Sequence, residues 1–195
     1  MATRITPASQ VEWDDVVHAL TGGGDGASCS CQWFPMSRPE FDAASREERR
    51  ERLRAEIAQT SPAPGLVAFV DGQAAGWVRI GPRTSQGRLV NTRMVKAAAE
   101  PADDPAVWAV SCLVVRREFR GQGLAGDLVG AAVAFAQSHG ARLVEAYPID
   151  TDRRASSSNE LFVGSVRLFE RAGFRLTARP TPARAVMARE LAISA

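Results

Sequence analysis

A near-continuous apolar run, VWAVSCLVV at residues 107–115, leads into RREFRGQGLAGDL, where the glycines give way to a helical pattern. This junction constrains the fold more than any other stretch. An unbroken apolar run of that length is expected of a central strand covered on both faces. Leu124, Leu128, Ala132 and Phe135 then recur on one helical face, with Gly140 as the C′ stop. RLVEAY, residues 142–147, reads as the next strand.

The same punctuation organises the rest of the chain. After a short opening stretch, TRIT, Ser9 and Glu12 have capping-box spacing ahead of Trp13, Val16, Val17 and Leu20. TGGGDGASCSCQWFP reads as a loop rich in Gly and Ser. A second capping box, Ser45 with Glu48, opens EERRERLRAEIAQ, a charged surface helix whose apolar edge is Leu53 and Ile57. LVAFV, Asp71-Gly72 and AAGWVRI form a β-hairpin pattern. Residues 82–106 have weak pattern and read as a long internal loop. IDTDRRASSSN is a polar loop, residues 161–173 read as one helix ended by glycine, and FRLTA and AVMAREL close the chain as two short strands. The order is β-α-α-β-β-β-α-β-α-β-β, an α/β sandwich.

With 195 residues the chain is long enough for one domain and short for two. It has no apolar run long enough to span a membrane, and its first residues, MATRITPASQ, have no apolar secretory core. Three cysteines, an odd number, point to reduced thiols and a cytoplasmic protein. A net charge of +2 is too small to imply nucleic-acid binding. Lys96 is the single lysine, so arginine supplies the remaining positive charge; its planar fork suits phosphate. Such an excess of Ala and Arg suggests a GC-rich bacterial genome.

Gly121, Gly123 and Gly126 spell G-x-G-x-x-G, and Glu145 ends the next strand about 20 residues on, a dinucleotide fingerprint by pattern alone. Two details count against that reading. Five residues, Arg116 to Arg120, separate the strand from the first glycine, and too little chain follows for the second half of a Rossmann fold. Arg120-x-x-Gly123-x-Ala125, placed after an apolar strand and opening an amphipathic helix, instead resembles the acyl-CoA loop of the GNAT superfamily of N-acetyltransferases. The orphan N–H groups and positive dipole end of a helix start favour a pyrophosphate. Small residues let the backbone approach it, and arginines add charge-assisted bonds.

The resemblance implies a single domain over residues 1–195: a splayed, mixed β-sheet flanked by helices on both faces. It implies that Leu113, Val114 and Val115 lie along the pantetheine arm of acetyl-CoA. Arg120, Gly121, Gln122, Gly123, Leu124 and Ala125 would hold the pyrophosphate. SVRLFERAGF matches a second family landmark with a departure, because Phe169 stands where a tyrosine usually protonates the leaving thiolate. Phe162 stands where an asparagine is common. Ser165 is a CoA contact or a small residue needed for helix packing.

The activity implied is acetyl transfer from acetyl-CoA to a primary amine of a small molecule or protein, by direct attack in a ternary complex. The partners are that amine and no nucleic acid or membrane, and the state is monomer or homodimer. Phe169 and Phe162 keep open an acyl-CoA-binding module with little transfer. An amine of pKa about 10.4 is about one part in a thousand neutral near pH 7, so a base supplies at most about 4–5 kcal/mol. Proximity supplies about 7–11 kcal/mol and so contributes more. Glu145 and Tyr147 alternate onto one face of their strand and are the candidate catalytic acid or base groups, the alternatives being a strand-end charge for Glu145 and a packed aromatic with its hydroxyl at the rim for Tyr147. Cys112, in an apolar strand, reads as an inert core thiol, and His18 and His139 lie away from the expected cleft.

ASCSCQWFP, residues 27–35, places Cys29 and Cys31 one residue apart. A zinc site normally needs four ligands, and the C-x-C spacing has no second pair to join it, so no metal is expected. In the acetyltransferase reading the loop after the first helix and the second helix form the acceptor side of the cleft. Cys29, Cys31, Trp33 and Phe34 then either line a substrate wall or pin the loop to the core.

Overall fold

A computed structural model describes residues 2–157 and 159–192. Seven strands, β1 (Thr3–Pro7), β2 (Gly65–Val70), β3 (Gln73–Pro82), β4 (Val107–Val115), β5 (Leu143–Ala146), β6 (Arg175–Thr181) and β7 (Arg184–Glu190), form one sheet. Their order is β1-β2-β3-β4-β5-β7-β6. Only β4 and β5 pair in parallel; every other neighbouring pair is antiparallel. The mixed α/β sheet expected from the sequence is therefore present.

Helices cover both faces. On one, α1 (Trp13–Ala19) and α4 (Arg46–Gln59) bring Val16, Ala19, Leu20 and Leu53 against Val67, Phe69, Trp77 and Val114. On the other, α7 (Leu124–Ser138) and α8 (Val166–Arg171) pack Leu128, Ala132, Val166 and Phe169 against Leu66, Val78, Val110 and Val144. Adjacent residues of β2 thus serve opposite cores, as the period of two along a strand requires. α2 (Gly26–Cys29), α3 (Arg38–Ala43), α5 (Gly87–Val90) and α6 (Arg93–Lys96) are short pieces within connections. No described helix is long and apolar enough to cross a membrane.

Local signals succeed where nothing longer-range competes. The Ser45 hydroxyl accepts from Glu48 N–H, and the Glu48 carboxylate accepts from Ser45 N–H, so that capping box forms. A second one, Ser37 with Glu40, starts α3. The Ser9–Glu12 box does not form. Ser9 sits in a 3-10 turn, Val11 is extended, and Glu12 itself is the N-cap of α1.

Two further expectations change. Residues 161–173 are a 3-10 turn, Glu160–Val163, then a break at Gly164, then α8. At Gly164 a Cβ would meet the Phe169 ring at 2.6 Å, so this close approach requires glycine. Residues 82–106 are more than a loop: α5 and α6 pack Leu89 and Val95 beside Phe34, Tyr147 and Val186 in a third core cluster.

Candidate active-site groove

The sheet opens where β4 and β5 part. Their pairing ends at Val110 with Ala146, so the last five residues of β4 lack a β5 partner. On its other side β4 carries a bulge: Cys112 pairs with Arg79 and Val110 with Ile80, which leaves Ser111 as the extra residue. A cavity of about 670 Å³ lies at this opening, with residues 112–115 of β4 along one wall. A second cavity, about 420 Å³, runs along the glycine loop. Val115, Arg120, Ala125 and Leu168 border both, so the two make one groove.

At the glycine end, Gly123 is the N-cap of α7 in the left-handed region (φ 87°), and no side chain caps the helix. Gly121 also has positive φ (75°), and a Cβ at either position would meet nothing within 4 Å. The backbone is thus bare at the positive end of a 15-residue helix. Arg120 and Arg171 border the same cavity. Arg120 Nε donates to the Val115 carbonyl at 3.0 Å, which anchors the side chain. Bare N–H groups, open space and two guanidiniums fit a pyrophosphate.

Leu113, Val114 and Val115 line the large cavity, Gly121, Gly123 and Leu124 the smaller one, and Arg120 and Ala125 both. Two expected contacts are not brought there. Gln122 borders neither cavity, and its Nε2 donates to the Glu118 carbonyl at 3.2 Å. Ser165 caps α8, its Oγ accepting from Leu168 N–H, and it too lies off the groove.

At the other end, Cys29, Cys31 and Trp33 border the cavity. Trp33 meets Phe41 edge-on at 5.0 Å, and the Arg88 guanidinium lies 3.5 Å over its ring. Phe34 turns inward among Leu89, Tyr147 and Val186, so it pins the loop and is not wall. Cys31 is buried, accepts from the Trp77 indole N–H at 3.1 Å, and sits beside Arg79. Burial raises its pKa, but the Cys112 thiol, the Arg79 charge and the indole N–H outweigh burial and hold it below the ordinary thiol value. Cys112 is pushed well up by its bond to Cys31 and by burial, and Cys29 is pushed up to about 11, chiefly by burial. Among the described residues no group of His, Cys, Asp or Glu could hold a metal ion.

Glu145 and Tyr147 do share a face, as the alternation implies, yet neither borders the groove. Both are buried. Tyr147 donates to the Glu145 carboxylate at 2.5 Å, and Arg83, fully buried, pairs with the same carboxylate at 2.6 Å. Burial and the Glu145 charge hold the Tyr147 hydroxyl well above its ordinary pKa. Their place as acid or base groups in the groove is thus corrected: Glu145 is the counter-ion of an arginine supplied by the 82–106 segment. That segment looks patternless in the sequence, which hid the partner. Phe169 is buried in the core against Phe174, and Phe162 borders the cavity.

Several bordering residues carried no sequence signal. Asp25 and Asn159 meet at 3.4 Å across 134 residues of chain. Arg49 reaches in from α4, Phe41 from α3 and Arg184 from β7. Each is an ordinary residue in its own segment, and only tertiary contact gathers them.

The PaiA N-acetyltransferase of Thermoplasma acidophilum, solved with coenzyme A, is 16% identical with a TM-score of 0.57, covering 98% of this chain and 100% of its own. A GCN5-related N-acetyltransferase from Kribbella flavida is 19% identical with a TM-score of 0.56, covering 97% and 98%. An acetyltransferase of the GNAT family from Streptococcus pneumoniae is 16% identical with a TM-score of 0.54, covering 98% and 100%. At such identities these structures show that the fold is shared. No curated protein sequence matches the chain. The sequence profile of the acetyltransferase (GNAT) family matches residues 31–174, most of the chain, and with that match the chain belongs to the GNAT acetyltransferase family.

Proposed function

We propose that the protein acetylates a primary amine by direct attack on acetyl-CoA within a ternary complex. One observation carries the reading: a single groove joins the open glycine cradle at the start of α7 to an apolar cavity at the β4–β5 split. Acetyl-CoA would supply the acetyl thioester. The N–H groups at Gly123 to Ala125, with Arg120 and Arg171, would hold its pyrophosphate, and residues 113–115 would flank its pantetheine arm.

The chain's contribution is chiefly placement. Residues 112–115 of β4 and the wall formed by Cys29, Trp33 and Phe162 would confine the acceptor amine beside the thioester. The amine nitrogen bonds to the carbonyl carbon, the C–S bond breaks, and the thiolate takes the electron pair. Cys29 and Cys112 stay protonated thiols near neutral pH, because their pKa values are raised. Asp25, bonded to Asn159, is the carboxylate that borders the cavity, and it is the group available to receive the amine proton, directly or through water. A thiolate leaving group has an ordinary pKa of about 8.5, so it departs without a dedicated acid, in keeping with the buried ring at Phe169.

That same ring favours a second reading, an acyl-CoA-binding module with little transfer. Thiol release from acetyl-CoA across a panel of amines separates the two. Amine-dependent release supports transfer; tight CoA binding with no release from any amine supports the module.

A further inference from the structure

Three arginines border the large cavity, and they differ in what they have left to bind. Arg49 is spent: Nε and Nη2 donate to the Ala44 carbonyl at 3.3 and 2.7 Å and Nη1 to the Ser28 carbonyl at 2.6 Å, while its guanidinium covers Phe41 at 4.3 Å. Arg120 stands at the junction with the glycine cradle and serves the phosphate end.

Arg184 borders the large cavity alone, on the β5 side of the split, where it bridges to Ile149. Its Nη2 donates to the Tyr147 carbonyl at 2.7 Å, and its Nε is buried without a partner. It forms an ion pair with none of the described carboxylates, and Asp25, the carboxylate on the cavity border, is bonded to Asn159. Burial and the charge of Arg154 both push its pKa below the ordinary arginine value, the signature of a cation without compensation. This half-buried guanidinium shares the cavity border with Leu161 and Phe162 and keeps N–H donors free for a ligand anion. A carboxylate matches its planar fork with charge-assisted hydrogen bonds.

We infer that the acceptor is an amine that also carries a carboxylate and an apolar group, the chemistry of an apolar or aromatic amino acid, and that Arg184 holds the carboxylate. The apolar group lies against Trp33, Phe41 and Phe162. This deepens the transferase reading and rests on it.

The experiment compares phenylalanine and leucine with their methyl esters and with phenethylamine and isoamylamine, in wild type, Arg184→Gln and Arg184→Lys. Wild type is expected to favour the acids in kcat/KM by roughly 10- to 100-fold, the scale of one hydrogen bond to a charged group. Arg184→Gln should abolish that preference through KM, and Arg184→Lys should keep part of it. CoA affinity, unchanged in both variants, reports that the groove is intact; if Arg184→Gln does not fold, the lysine variant carries the comparison. Equal use of acids, esters and decarboxylated amines by wild type overturns the inference and leaves the transferase reading standing. So does a preference that survives in Arg184→Gln. If no amine is acetylated, the transferase reading fails, and calorimetric binding of the two acids to the CoA-loaded protein decides the rest. Binding lost in Arg184→Gln supports the carboxylate contact, and binding absent or unchanged in the variant overturns it.

Discussion

Residues 22–26, GGGDG, and residues 121–126, GQGLAG, both lie along the groove, and the space around their glycines differs. A side chain at Gly22 would sit 3.0 Å from the Arg116 guanidinium carbon, one at Gly23 would collide with the Arg120 guanidinium, and one at Gly26 would collide with the Leu20 carbonyl. Side chains at Gly121, Gly123 and Gly126 would meet nothing within 4 Å. The first loop omits side chains to make room for the protein's own arginines and backbone. The second omits them and leaves the room empty, next to a helix start without a side-chain cap. A glycine-rich string is therefore ambiguous until its neighbours are known. Arg120 ties the two together, since it underlies Gly23 and borders the glycine cradle.

Substitutions in the two loops should fail in different ways. The largest effect is expected from Gly123→Glu, which places bulk and negative charge where the pyrophosphate would lie. CoA affinity should fall at least about 100-fold, the scale of two lost charged hydrogen bonds, and the left-handed backbone at Gly123 should add a loss of about 1–2 kcal/mol in stability without ligand. Calorimetric titration with CoA checks it; unchanged affinity in a folded variant would rule out the cradle as the phosphate site. Gly26→Val should act on the fold instead. Collision with a backbone carbonyl gives the shift no flexible partner, and about 2–3 kcal/mol of stability should be lost in urea unfolding, in the range of core overpacking. Were Gly26→Val to weaken CoA binding while leaving stability alone, the contrast between the loops would collapse.

Arg120→Ala lies between these cases. It removes a guanidinium from the cradle and a support from under Gly23, so CoA affinity should fall about 10-fold with a smaller loss of stability. Trp33→Ala should have the smallest effect on the protein as a whole. Acceptor KM should rise several-fold with CoA affinity intact, because Trp33 borders only the larger cavity. Steady-state kinetics with acetyl-CoA saturating reads this directly, and a matching loss of CoA affinity would show that the wall is not specific to the acceptor.

The glycine-cradle end of the groove was legible because its signals are local. The apolar run at 107–115, the glycines at 121 and 123 and the helical spacing from Leu124 are contiguous, and each element forms where those residues stand. The other end was legible only as segments, the loop that holds Asp25 and the helix that holds Arg49, because the rest of its border is gathered from residues far apart: Phe41 from α3, Asn159 before a 3-10 turn, Arg184 from the last strand. Ser9 shows the limit of a short motif, since S-x-x-E spacing is present but the end of a 3-10 turn and an extended Val11 separate its two ends. Glu145 shows another. Alternation placed it correctly on a face with Tyr147, but a periodic pattern cannot tell which partner waits on that face, and Arg83 lies 62 residues away.

On the transferase reading, amine acetylation depends on acetyl-CoA seated in the cradle at Gly123. Thiol release from acetyl-CoA, measured with and without amines in wild type and in Gly123→Glu, tests it most directly. Amine-dependent release by wild type and none by the folded variant is the expected result. Release that ignores the amine, or that proceeds equally in Gly123→Glu, would contradict the claim.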